Sequence, residues 1–191
     1  MKLMPPGLRK AALLVHIVSS VGWLGAVAAF LVLAIAGLTS VDPQLVRAAY
    51  VGMDLIGWMI IFPLSLASLF SGIIQGMGTV WGVFRHYWIL IKLVITALAT
   101  VLLLVHLQPV TAMADMALAT DLGPSDMNGM RIQLVFDAGA AALALLITSV
   151  LSVYKPRGLT RHGQKALAKQ QQQARLTKAA TRALGPRQAR N

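Results

Sequence analysis

The sequence predicts an all-α protein, a four-transmembrane-helix up-down-up-down bundle with a basic cytoplasmic tail. Three observations carry this reading. Hydrophobic residues make up 57% of the 191 positions and charged residues only 12%. The apolar residues gather into four runs, each close to the ~20 residues that cross a bilayer. Ten Lys and Arg residues crowd into residues 155–191, which hold no Asp or Glu. Two units follow: a transmembrane domain over 1–154, with spans of about 11–37, 54–77, 88–107 and 132–153, and a tail over 155–191. The tail is too poor in apolar residues for a core and is expected to be mobile or a weak surface helix.

The first run, Ala11 to Leu38, follows Lys2, Arg9 and Lys10. Ala26-Val27-Ala28 imitates a signal cleavage site, but the run continues to Ile35, which suits a retained anchor. Asp42-Pro43 marks the next helix start, because Asp accepts from free amides and Pro is tolerated in a first turn. This helix enters the membrane near Asp54 and runs to about Gly78, with a kink expected at Pro63. Asp54, Trp58, Ile61, Ser65, Ser68, Gly72 and Gln75 recur at three- and four-residue steps, so one inward face carries most of its polar atoms.

Gly76, Gly78 and Gly82 mark the following turn, and Arg85-His86-Tyr87-Trp88 reads as an interfacial belt. The third span runs to Leu107 and is expected to end before Pro109, with Lys92, Thr96, Ala99 and His106 near one face. A longer connection then carries Met113, Met116, Met127 and Met130. The fourth span, Ile132 to Val153, lines one side with Asp137, Ala141, Ala144, Thr148 and Ser152.

Charge sets the expected orientation. All 17 Lys and Arg residues except Arg47 and Arg131 fall in the N-terminal segment, the Arg85–Lys92 region or the tail. Basic residues favour the cytoplasmic side, so both termini are expected to be cytoplasmic, in a multi-pass protein of the bacterial inner (plasma) membrane. The net charge of +11 lies at the chain ends instead of on a folded basic face, which argues against nucleic acid as a partner. The expected partners are the lipid bilayer, anionic lipid headgroups at the tail, worth about 1 kcal/mol per basic side chain near the surface, and a second copy in a homo-oligomer. Without Cys there is no disulfide, thiolate or iron–sulfur chemistry. Glu is absent too, and no Ser-His-Asp set or HExxH helix is present, so hydrolysis has no visible residues.

His16 is an ionisable residue inside the first run, followed by Ser20 and Trp23 on neighbouring turns. A rise of about 1.5 Å per residue places His16 roughly 9 Å below the boundary at Lys10, and Lys92 roughly 10 Å below that at Arg85. The first and third spans lie diagonally across such a bundle, so these groups are expected to meet near the cytoplasmic side. Haem b would find an axial base in His16, a wall in Trp23, and propionate partners in Arg9, Arg85 or Lys92, with Lys92 as an alternative second ligand and His86 as a substitute. The alternative is structural: His16 hydrogen-bonds Ser20 or a facing serine, and Lys92 snorkels to the headgroups.

His16, Trp23 and Gly25, together with Trp88-Ile89-Leu90-Ile91-Lys92-Leu93, resemble the small four-helix bacterial membrane proteins related to the copper-resistance protein CopD. The pattern also resembles the HemJ-type protoporphyrinogen oxidases over about the first 110 residues. The HemJ likeness implies a haem-dependent oxidoreductase whose first-helix His falls on His16 and third-helix Lys on Lys92. After Gly25 the chain reads Ala26-Val27-Ala28-Ala29-Phe30, where the HemJ type continues Tyr-Leu-Pro-Arg-Leu.

The copper likeness has its own feature in Met113 and Met116, and again Met127 and Met130, because thioethers suit Cu(I). Methionine also fills irregular apolar gaps. A second polar cluster is expected toward the outside: Asp137, about 9 Å below a boundary at Arg131, needs a partner, with His106 the first candidate and Asp54 near the same level. Three functions are thereby distinguished: a haem protein with a redox role, a copper-handling protein, and a structural or accessory membrane protein.

Overall fold

The computed structural model describes residues 4–78, 86–120, 127–154 and 158–184. Within them the chain is helical: α1 (Pro6–Thr39), α2 (Pro43–Ile56), a π-turn (Gly57–Ile61), α3 (Phe62–Gly78), α4 (Tyr87–Ala119), α5 (Asn128–Tyr154) and α6 (Arg161–Leu184). Four helical stretches are long and apolar enough to cross a membrane: Pro6–Thr39, Pro43–Met77, Tyr87–Ala119 and Asn128–Tyr154. Their outward faces carry exposed Leu14, Val18, Val32, Val94, Leu98 and Leu143, so the surface suits lipid as its solvent.

Local chemistry explains the helix ends. Asp42 accepts from the Gln44 amide at 3.0 Å, and Pro43 occupies the first turn of α2. The disturbance expected at Pro63 is accommodated just before it: the Phe62 amide reaches back to Gly57 instead of Trp58. The wider turn relieves the crowding of a proline ring against the preceding turn, and the second span continues to Gly78.

The third span corrects the boundary expected at Leu107. α4 continues through Pro109 to Ala119. Proline removes one amide donor, whereas ending the helix there would strand a full turn of carbonyls. The continuation is also packed, since Val110, Met113 and Ala117 are buried with Ala34, Val46, Tyr50, Met53 and Leu134. Met113 and Met116 therefore lie on a helix, not in a connection.

The packing is set by reciprocal contacts. The first span meets the second and fourth, and the third meets the same two. Contacts along successive spans run in reversed order: Gly37 with Tyr50 and Gly72 with His16; Arg47 with Ala117 and Gly57 with Leu107; Lys92 with Ser152 and His106 with Asp137. One core cluster surrounds Tyr50 and Met53 at what we term the Pro43 end. A second joins Trp23, Val27, Ile61 and Leu145 nearer the Tyr87 end.

The described part of the tail is a helix. Thr160 starts α6, its hydroxyl accepting from the Gly163 amide at 3.1 Å and its carbonyl from Gln164 at 2.9 Å. Ala, Gln, Lys and Arg then continue as good helix formers. Leu159 pairs with His86 in an isolated antiparallel bridge, which ties the tail to the start of α4.

Candidate functional site

The expected inward faces bring their polar residues to two levels of the bundle. At the Tyr87 end, the face of α3 predicted from its three- and four-residue steps packs on α1. His16 is half-buried, with Nδ1 3.1 Å from the Ser68 carbonyl and 3.1 Å from Ser71 Oγ. A carbonyl only accepts, so Nδ1 carries a ring proton, and when the ring is neutral the lone pair is on Nε2. Ser20 and Ser68 share a hydroxyl bond at 2.8 Å, and Gln75 donates to the Ala12 carbonyl at 3.1 Å. Gly72 leaves room for the imidazole, since a Cβ there would stand 3.2 Å from His16 Cε1.

Lys92 belongs to the same level but holds a different neighbour. Its ammonium donates to Ser152 Oγ on α5, whose hydroxyl in turn donates to the Thr148 carbonyl. His16 thus fastens the first span to the second, and Lys92 fastens the third to the fourth. The two lie within electrostatic range, and no hydrogen bond joins them. The alternative in which His16 bonds a facing serine describes its contacts. His86 precedes the first turn of α4 and packs near Trp88, and Arg85 lies outside the described residues.

A cavity of about 310 Å³ lies farther toward the Pro43 end. Trp23, Val27 and Phe30 of α1 and Ile61 of the π-turn form its inner wall, and Leu103 and Leu145 close its sides. Ala99, Ala138, Ala141 and Ala144 explain the space, because small side chains on α4 and α5 leave it unfilled. Leu98, Leu102 and Ala140 line the chamber and are themselves exposed, so its mouth opens sideways between the third and fourth spans. Neither His16 nor Lys92 belongs to the lining. Trp23 does, as a buried wall residue.

The ionisable side chains of this chamber are one pair. His106 Nε2 lies 2.8 Å from Asp137 Oδ2, with both side chains about one quarter exposed, at 28% and 26%. His106 Nδ1 is 2.8 Å from the Leu102 carbonyl, which fixes a proton on Nδ1. Lone pairs on Nε2 and Oδ2 would repel at this distance, so one of these atoms carries a further proton. The arrangement can therefore be written as imidazolium with carboxylate or as imidazole with carboxylic acid. Either form places a proton donor and an acceptor at the wall of an apolar space.

Asp54, expected at the same level, is turned elsewhere. Its Oδ1 accepts from Thr111 Oγ1 at 2.6 Å, and the same hydroxyl accepts from Trp58 Nε1 at 3.2 Å. Met113 is fully buried in the Tyr50 cluster, Met130 packs against that cluster, and Met116 and Met127 are exposed. No group of three or more His, Cys, Asp or Glu side chains able to hold a metal occurs among the described residues. Sequence reasoning paired His106 with Asp137 but missed the chamber, whose one sequence signal is the run of alanines facing Asp137 on α5. Comparison with family models, curated proteins and solved structures finds no match for the chain.

Proposed function

We propose that the protein is a multi-pass inner-membrane protein that binds a lipid-soluble molecule in the chamber between its spans. The ligand class is a neutral apolar ring or chain bearing a carbonyl or hydroxyl oxygen, of which a quinone is the simplest example. The observation that carries this is the His106–Asp137 pair at the wall of an otherwise apolar cavity of about 310 Å³. A cavity of that size with few convergent polar groups has the form of a small-molecule site. The sideways mouth admits a ligand from the bilayer, and the pair's proton meets its oxygen. Both termini are cytoplasmic in this reading, and the basic tail lies against anionic headgroups.

Trp23 provides the test. Titration of a short-chain quinone into the detergent-purified protein should quench Trp23 fluorescence, identified by its loss in Trp23→Phe. Ala141→Leu, which narrows the chamber, should weaken the response, and Asp137→Asn should weaken binding by about fivefold or more, as expected for one lost hydrogen bond. Equal quenching in the parent and Ala141→Leu would refute the site.

A second reading, haem held by His16, is supported by one observation. The Nδ1–H to Ser68 carbonyl bond fixes the tautomer in the way that second-shell carbonyls fix ligating histidines. His16 fits a single axial ligand, while Lys92 is engaged by Ser152. Haem would supply one-electron chemistry at that level, and the chain's residues would hold the imidazole in register. A visible spectrum of the purified protein, with His16→Ala alongside, separates the two readings: a Soret band lost in the variant supports haem, and its absence from the parent excludes it.

A further inference from the structure

The most heavily buried cation in the described chain takes no part in the chamber. Arg131, in the first turns of α5, has 0% exposure, and Nε, Nη1 and Nη2 all lack hydrogen-bond partners. Its guanidinium lies over the Tyr50 ring, 5.8 Å from the centroid. The Tyr50 hydroxyl is also buried without a partner. The tyrosine also packs against α1, where a Cβ on Gly37 would stand 2.8 Å from Tyr50 Cζ.

A guanidinium offers five N–H donors and no acceptor, and burying it unsatisfied is strongly unfavourable. Stacking on an aromatic face satisfies none of those donors. Among the described carboxylates, Asp54 is engaged by Thr111 and Asp137 by His106, while Asp42 caps α2 and Asp115 is exposed. A second cation stands on the same cluster, since Arg47 Nε donates to the Ala117 carbonyl at 2.8 Å and Ala117 packs with Tyr50. Exposed Met127, Asn128 and Gly129 lie one turn before Arg131, so the site is a single turn from the surface at the Pro43 end.

We propose that Arg131 and Tyr50 form a built oxyanion site that takes one carboxylate or phosphate group at the Pro43 end of the bundle. The planar guanidinium fork matches two oxygens of such a group, and the phenol supplies a third donor. Arg47, held at the Ala117 carbonyl, lies at the same end of the bundle. The site is separate from the chamber and does not depend on what the chamber binds. The same phosphate chemistry can come from a free ion or from a phospholipid headgroup.

The test uses the full chain, purified and delipidated in neutral detergent. Inorganic phosphate at constant ionic strength should raise the thermal unfolding midpoint of the parent, and sodium chloride should not. Arg131→Met should lose the response, and Tyr50→Phe, which keeps the guanidinium and the ring, should weaken it by about fivefold, the loss of one hydrogen bond. Native mass spectrometry before delipidation identifies the source: a retained phosphatidylglycerol adduct that disappears in Arg131→Met assigns the site to a headgroup, and phosphate binding without an adduct assigns it to a free ion. An absent phosphate response with no adduct overturns the proposal. So does a response that is unchanged in Tyr50→Phe, or one that appears only after Asp121→Asn and Asp126→Asn, which would make the chain's own carboxylate the counter-ion.

Discussion

Nε2 of His106 stands 2.8 Å from Oδ2 of Asp137, and this contact joins the third span to the fourth at the wall of the apolar chamber. Oδ2 is buried with no hydrogen-bond partner, so the His106 ring at this distance is what faces it, while His106 keeps the Leu102 carbonyl at Nδ1. Asp137→Leu or His106→Leu alone should destabilise the bundle by about 1–3 kcal/mol, the lower values reflecting partial exposure. The double variant should recover part of that loss, with a coupling of about 1 kcal/mol. Unfolding in mixed detergent measures all three, and strict additivity would deny the pair an energetic role.

Gly37 lets the first span pack against the Tyr50 side chain of the second. Its Cβ position lies 2.8 Å from Cζ and 3.0 Å from the hydroxyl oxygen of Tyr50. Gly37→Ala should cost about 1–3 kcal/mol through overpacking, and Tyr50→Leu in the same chain should relieve the clash. Gly57→Ala should cost less, because the atom it meets is a terminal methyl of Leu107. The order of the unfolding midpoints checks this, and a neutral Gly37→Ala would contradict the packing.

His16 should respond more to α3 than to α4. Ser71→Ala removes one acceptor for Nδ1 and should cost about 1 kcal/mol, while the Ser68 carbonyl remains. Gly72→Leu should displace the imidazole and lower stability further. Lys92→Met should weaken the contact between α4 and α5 instead. Disulfide trapping between cysteines introduced in each helix pair would report which interface loosens, and loss of α1–α3 trapping in Lys92→Met would reverse the assignment.

The exposed helix α6 should lie on anionic membranes. At 3.6 residues per turn, Arg161, Lys165, Lys169, Arg175 and Lys178 fall on one half of it. Full-length protein in nanodiscs with phosphatidylglycerol should resist tryptic cleavage in α6 more than in neutral discs, and added salt should reduce the difference. Replacing Lys165, Lys169 and Lys178 with Gln should abolish the lipid dependence at the remaining sites. Equal cleavage in both discs would leave the basic face without this role.

The four apolar stretches were legible because lipid imposes a length and a composition that any spanning helix must meet. The inward faces were legible for a related reason: helical periodicity places Ser65 and Ser68, or Asp137 and Ala141, on a common side before any partner is known. It also allowed His106 to be matched to Asp137 by depth.

Other features depended on contacts that a single helix cannot report. Sequence placed His16 and Lys92 at one level, and only the packing assigned His16 to Ser68 and Ser71 and Lys92 to Ser152. Pro109 reads as a stop, yet α4 continues because buried Val110, Met113 and Ala117 hold the next turns. The chamber is absent from the sequence as such, since it is space left where alanines of two spans face Trp23. Sequence by itself determined which segments are helical, apolar and inward-facing, through period and solvent. Tertiary structure decided which inward groups meet and where volume stays empty, because those depend on neighbours far apart in the chain.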